Sequence, residues 1–280
     1  MDRRRTGMAE QYEPICLNPV GVVRASVDDP MAMPAGGLES VIEIFPQYAE
    51  ALKGLGENSH IWVLLWFHRA DRTVLKVVPS MVNPDLPEYG VFGLRAFSRP
   101  NPVALSLVKL NKMEGNRLYV SGLDAIDGTP VVDIKPYYEQ DIIFSPRTPY
   151  IPPKKLEMRR AIFLKQARNH HQEECPGLFT AVRMALIADE HLGQITRPEI
   201  TVCVEGPACL ADTLQGLSRA RLANPPRFVY HPSRELVQST WQKGEQRLKI
   251  ACTRLLSREQ FQGGSDEELF QITLARSGGN

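Results

Sequence analysis

The chain has no long apolar stretch. Its longest uninterrupted run, Ile61 to Phe67, is seven residues, far short of the roughly 20 that a membrane-spanning helix needs. Excess charge of either sign is missing too. Its 33 Lys and Arg oppose 32 Asp and Glu for a net charge of +1, with a pI near 7.7. No domain-wide basic field, the footprint of a purely electrostatic nucleic-acid binder, is indicated by that balance, which leaves room for a local basic patch. Cysteine is scarce: Cys16, Cys175, Cys203, Cys209 and Cys252 are five in 280 residues. That number is odd and too sparse for a small disulfide-stapled secreted domain, so a reduced, cytoplasmic setting is expected. There is no dinucleotide fingerprint. Gly54-Leu55-Gly56-Glu57-Asn58-Ser59 lacks the third glycine and follows an expected helix, not a strand, so a Rossmann sheet is not indicated. The basic start, Met1-Asp2-Arg3-Arg4-Arg5, has no apolar core behind it and reads as an N-terminal arm, not an export signal. No internal repeat or low-complexity tract is present.

What is there fits two domains. A length of 280 residues with 43% hydrophobic and 23% charged residues supports two separate cores. In the first half, short β-rich segments recur between turn residues: Val20 to Ala25, Ser40 to Ile44, Ile61 to Phe67, Thr73 to Val78, Gly90 to Arg95, Pro102 to Lys112, Arg117 to Leu123 and Val131 to Ile134. That spacing predicts an all-β barrel or sandwich. Glu114-Gly115-Asn116 reads as a hairpin turn, and Gln47 to Leu52 as one short helix opened by Pro46. The proline-dense run from Ser145 to Lys154 reads as a stiff linker. Beyond it the period changes. Helices are expected over Lys154 to Asn169, Leu178 to His191 and Ala208 to Leu217. Strands are expected over Glu199 to Glu205, Arg227 to Tyr230, Leu236 to Trp241 and Leu248 to Thr253, and Ser265-Asp266-Glu267-Glu268 is a capping box for a last helix. The expected architecture is an all-β barrel domain (12–145) followed by a smaller α+β domain (155–280).

The most informative segment is Gly90 to Leu107, which carries Arg99-Pro100-Asn101-Pro102 between two apolar stretches, with Arg95 four residues upstream. Pro100 and Pro102 fix their own φ and bias their predecessors toward extended geometry, so Asn101 is held in a preorganised corner. Two guanidiniums beside such a corner suit a carboxylate or phosphate. Downstream, Asp124 and Asp127 end an expected strand before Gly128-Thr129-Pro130. As turn caps they need no further explanation, and as loop carboxylates they are site candidates.

Three blocks, Gly90 to Leu107, Asp124 to Tyr137 and Ser59 to His68, together resemble the TrmO (TsaA-like) family of S-adenosylmethionine-dependent methyltransferases, over roughly residues 15 to 140. The resemblance implies a β-barrel that binds S-adenosylmethionine and methylates N6-threonylcarbamoyladenosine in tRNA. It implies a homodimer whose cofactor cleft is completed by the neighbouring subunit. Carried over by motif, the implied cofactor contacts are His68, Arg69, Arg95, Arg99, Asn101, Ser106, Leu123, Asp124, Ala125, Ile126 and Asp127, with Asp124 and Asp127 the candidates for catalysis. Two departures stand out: after the β-branched Val103, Ala104 stands where the family has glycine, and Met33-Pro34-Ala35-Gly36 replaces its Pro-Arg-Gln loop.

The second half carries another resemblance. His170-His171-Gln172-Glu173-Glu174-Cys175-Pro176-Gly177 and Val204 to Asp212 resemble the core of the FmdE-like domain, over roughly 165 to 255. That resemblance implies a metal site, with His171, Cys175 and Cys209 as candidate ligands, although His171 stands one residue off the usual spacing. Imidazole and thiolates suit zinc or a similar transition metal. A cysteine near a helix N-terminus is expected to favour its thiolate, and Asp212 lies one turn beyond Cys209 on the same face. Three functions follow. The first is a tRNA N-methyltransferase. The second is a methyltransferase for a small-molecule acceptor, with the second domain holding a metal or the substrate. The third is a non-catalytic cofactor or metal sensor.

Overall fold

The computed structural model describes residues 13–276; the basic start at Met1 to Arg5 lies outside them. The chain divides into two compact units, one of residues 13–77 and Tyr89–Tyr138, the other of Val78–Glu88 and 139–276. The proline-dense run from 145 to 154 therefore groups with the second unit.

In the first unit the strands are β1 (Gly21–Arg24), β2 (Leu38–Ile44), β3 (His60–Trp66), the two-residue β4 (Lys76–Val77) and β5 (Tyr89–Gly90), then β6 (Val103–Glu114), β7 (Arg117–Leu123) and β8 (Pro130–Pro136). Six of them close a barrel in the order β1-β2-β7-β6-β3-β8, antiparallel at every seam. Closure leaves no unpaired edge. Alternation explains the interior: Ile61, Val63 and Leu65 on β3 point inward with no exposed surface, as do Val23, Ile42, Leu118 and Val131. The β6–β7 hairpin turns on Gly115 at φ 60°, next to Asn116, whose side chain donates to Ile44 O.

Two expected strands are absent from the barrel. Thr73 to Val78 contributes only β4, paired with β5 in a separate two-stranded sheet. Gly90 to Arg95 gives β5 followed by a 3-10 turn, Val91–Gly93. The carbonyls of Val91, Leu94 and Ala96 are taken by the Arg99 guanidinium, so this stretch has no ladder to join. The expected helix at Gln47 to Leu52 is a 3-10 helix, Pro46–Leu52, an unusually long run of that tighter winding.

The second unit contains α1 (Leu156–His171), α2 (Pro176–Leu192), β9 (Ile200–Gly206), α3 (Ala208–Ser218), β10 (Phe228–Pro232), β11 (Val237–Lys243), β12 (Gln246–Cys252), α4 (Arg258–Gly263), α5 (Asp266–Leu269) and β13 (Gln271–Arg276). Its sheet runs β10-β9-β11-β12-β13, with β10 and β9 parallel across α3 and the other pairs antiparallel. Every residue of α2 from Gly177 to Asp189 is buried, as expected of a helix enclosed by its own domain. Arg183 sits on that helix, 1% exposed. It donates to Asp266 Oδ1 (2.8 Å from Nε), Phe261 O (3.0 Å) and Gly264 O (2.9 Å), fastening α2 to α4 and α5. Sequence pattern anticipated the α5 cap on Ser265 but missed α4, which carries its own capping box on Ser257, and β13. No helix among the described residues is long and apolar enough to cross a membrane.

Candidate functional site

Antiparallel closure decides where the candidate cofactor residues go. β1, β3 and β7 end, and β2, β6 and β8 begin, at the same end of the barrel. His68 and Arg69 follow β3, Asn101 precedes β6, and the 124–128 loop joins β7 to β8, so all reach one rim. Ser106, inside β6, lies opposite the buried Val63 and shares strand parity with the inward Val108 and Leu110. Arg95 is exposed in the turn after the 3-10 helix and makes no hydrogen bond or ion pair among the described residues.

The rim is built by tight local bonding. Asp127 accepts from Ala25 N through Oδ1 (3.1 Å), while its own N–H donates to Val27 O (2.7 Å). Thr129 Oγ1 donates to Ile126 O (2.8 Å) and Arg69 Nη1 to Asp28 O (2.8 Å). The β1–β2 loop is thereby tied both to the β7–β8 loop and to the segment that follows β3. Asp127 does not cap its own turn but ties it to the end of β1 through Ala25, while Asp124 is exposed. Leu123, Ala125 and Ile126 are buried and can offer a ligand only backbone atoms. Gly37, at φ +72°, runs so close to β7 that an added Cβ would stand 2.5 Å from Gly122 C and O, beside the β-bulge between Leu38 and Ser40.

Arg99 serves the loop itself. Its Nε donates to Ala96 O (2.7 Å) and its Nη2 to Val91 O (2.9 Å), so the guanidinium is the scaffold on which the Arg95 turn is wound. Arg72, which the sequence did not single out, does the same for the corner. Its Nε donates to Pro100 O (2.9 Å) and its guanidinium lies over Trp66 at 5.4 Å. Only a cation in a turn signalled it.

The second unit holds a different constellation. His171 is the last residue of α1, and Gln172 in the left-handed region (φ 60°) turns the chain back. Cys175 is the N-cap of α2, its Sγ accepting from Leu178 N (3.4 Å). Cys209 lies in the first turn of α3. Gly177 lets the two helix starts meet, since a Cβ there would come within 2.7 Å of Cys209 Cβ. One ligand atom from each of His171, Cys175 and Cys209 lies within 4.8 Å of the others, with Cys175 Sγ 3.3 Å from His171 Nε2. The spacing that is one residue off in sequence thus still closes. Asp212 Oδ2 accepts from His171 Nδ1 (2.7 Å) and its Oδ1 stands 3.3 Å from His170 Nε2. Glu174 is held by Arg168 and Arg258.

Burial, then the neighbouring Cys175, push the Cys209 thiol up from its ordinary value. This corrects the expectation that the helix N-terminus would make it a ready thiolate: desolvation and a neighbouring thiol outweigh the helix end. A divalent cation reverses that balance, because it supplies the positive charge that crowded sulfurs lack. The donor set, one imidazole and two sulfurs, fits zinc or a similar metal.

Comparison with known proteins gives two successive family matches. The N-terminal domain of tRNA-methyltransferase O matches residues 29–141, and FmdE, of the molybdenum formylmethanofuran dehydrogenase operon, matches 170–262. A probable S-adenosyl-L-methionine-binding protein of Methanothermobacter thermautotrophicus is 51% identical over 129 residues, 45% of this chain and 91% of that protein. Another, of Archaeoglobus fulgidus, is 36% identical over 219 residues, 74% of this chain and 59% of that protein. The tRNA (adenine(37)-N6)-methyltransferase of mouse is 47% identical over 96 residues, 34% of this chain and 22% of that protein. The chain belongs to the TrmO family, a family of S-adenosylmethionine-dependent methyltransferases, and carries an FmdE-type domain behind its barrel.

Proposed function

We propose that this chain transfers a methyl group from S-adenosylmethionine to a nitrogen of tRNA, in the manner of the enzyme that methylates N6-threonylcarbamoyladenosine. The observation that carries this reading is the 47% identity over 96 residues to the mouse tRNA methyltransferase, in a chain whose His68, Arg69, Asn101 and 124–128 loop reach one end of the barrel. Methyl transfer from a sulfonium is an in-line displacement that depends on positioning more than on covalent help. In this reading the rim contributes His68, Asn101 and the Asp124 carboxylate, Ser106 contributes from within β6, and the guanidinium of Arg95, which makes no hydrogen bond or ion pair among the described residues, takes the cofactor's carboxylate. Bulk tRNA, incubated with protein and labelled cofactor and read by nucleoside mass, is expected to gain one methyl group. Unchanged tRNA with a methylated metabolite pool would favour a small-molecule acceptor. The metal-type cluster of the second unit supports that second reading, with 12–145 binding cofactor and 155–280 holding metal. Cofactor binding without methylation of either pool would leave the sensor reading. The cysteines, all free, suit the reduced cytoplasm.

Arg95→Ala is expected to weaken S-adenosylmethionine binding by ten-fold or more. A charge-assisted hydrogen bond contributes about 1.5–3 kcal/mol, and Arg95 has no structural partner to lose. Calorimetry that returned wild-type affinity would remove Arg95 from the site.

A homodimer is also expected. Phe92, Phe97, Leu75 and Leu105 of the first unit expose 84%, 44%, 65% and 47% of their surface, more apolar area than a solvated turn region needs. Twofold pairing is the commonest oligomeric arrangement and would cover exposed apolar side chains of this kind. Light scattering should give twice the chain mass, with Phe92→Asp shifting it toward monomer; a wild-type monomer that still methylates would refute the dimer.

A further inference from the structure

We propose that the His171–Cys175–Cys209 cluster is an open metal centre, with three protein ligands, a fourth position for an exchangeable neutral donor, and Asp212 outside the coordination sphere as the residue that positions His171. This rests on reading the cluster as a metal centre.

A closed structural zinc site takes four protein ligands, whereas sites that exchange ligands keep three and leave the fourth to water or substrate. Among the described residues the cluster supplies three. Two further carboxylates, Glu173 and Asp212, act on Cys209, and neither falls within the three-residue group; the geometry of Asp212 places it elsewhere. Oδ2 is bonded to His171 Nδ1 at 2.7 Å, while Nε2 of the same ring faces Cys175 Sγ at 3.3 Å. A metal on Nε2 and a carboxylate on Nδ1 stand on opposite edges of one imidazole, so Asp212 cannot hold both. It fixes the tautomer instead, keeping the proton on Nδ1 and presenting the Nε2 lone pair to the metal. Glu174, the acidic residue just before Cys175, is withdrawn by its two arginines.

The frame around the cluster is rigid where it must be. The His170 ring packs onto Gly216 of α3, so closely that a Cβ there would sit 2.3 Å from the ring. Its Nε2 is buried without a well-directed hydrogen bond, though it stands 3.3 Å from Asp212 Oδ1. Asp212 is thus held between two adjacent histidines. All three ligands are half-buried, not sealed, which leaves the fourth position a path to solvent. Two thiolates already balance a dication and Asp212 adds a negative charge nearby, so the position favours water at rest and a neutral nitrogen or sulfur donor as its ligand, over an anion.

The test uses the full chain loaded with Co2+, whose visible bands report coordination. One equivalent is expected to bind with tetrahedral band intensity and a sulfur-to-cobalt transition, and imidazole should then shift the bands saturably. Asp212→Asn should weaken cobalt binding about 10–100-fold yet leave the bands of the loaded site, and their response to imidazole, in place. Circular dichroism identifies a misfolded variant, and the wild-type titration stands without it. A wild-type protein that takes no cobalt overturns the metal reading itself. A loaded protein whose bands ignore imidazole overturns the open position alone. Bands that answer imidazole only after Asp212 is replaced would make Asp212 the fourth ligand and overturn its positioning role.

Discussion

Arg183→Met is expected to lower the stability of the second unit by about 3 kcal/mol, near the lower end of the range for breaking a buried ion pair, because Asp266 keeps some contact with water. The side chain is 1% exposed and its loss would strand the Phe261 and Gly264 carbonyls together with the Asp266 carboxylate. Methionine fills the apolar volume of the arginine stem but satisfies none of those acceptors. Unfolding in urea should show the midpoint falling by about 1 M for a slope of 2–3 kcal/mol per molar. Fluorescence of Trp241, fully buried in this unit, is the natural probe. A midpoint within error of wild type would mean that α4 and α5 are held by apolar packing alone.

Gly37→Val is expected to be nearly as damaging, by about 2–4 kcal/mol, and to weaken cofactor binding with it. Two penalties combine: a β-branched side chain in the left-handed region, and a Cβ only 2.5 Å from the Gly122 backbone. Relief requires β2 and β7 to part at the rim from which the 124–128 loop departs. Gly36→Ala is the control, since its Cβ would meet nothing within 4 Å and should cost less than about 0.5 kcal/mol. If both variants unfold together with wild type and bind S-adenosylmethionine equally, the close approach at Gly37 has no influence on the rim.

Much of this could be read from residue order. The six barrel strands follow from apolar alternation and turn residues, and the two long helices and the core strands of the second unit from the change of period. What could not be read were bonds that reassign backbone groups. Gly90 to Arg95 has strand composition, yet the Arg99 side chain takes its carbonyls, and no local pattern announces that. The helix expected at Gln47 to Leu52 has the right place and the wrong winding: Pro46–Leu52 is a 3-10 helix without a side-chain cap, whereas the shorter α4 and α5 carry capping boxes. β13 was legible in principle through Ile272 and Leu274, but it is an edge strand whose outer residues are mostly exposed. In the sites, the types of group were visible and their assembly was not. Cys209 follows Cys175 by more than thirty residues, and the two meet because Gly177 lets α2 and α3 touch. The role of Asp212 required knowing which ring nitrogen it faces.

The excursion Val78–Glu88 leaves the barrel between β4 and β5 and is counted with the second unit, where Lys154 N donates to Val82 O and Asn83 Nδ2 to Pro152 O. The second unit is therefore discontinuous in the gene, although the part that matches FmdE, residues 170–262, is one continuous segment, and no single splice point exchanges the whole unit. A chimera that swaps everything after residue 138 for another tail would retain eleven codons written for the domain it discarded. A graft that respects the fold has to carry two cassettes, the excursion and the C-terminal segment, from the same parent.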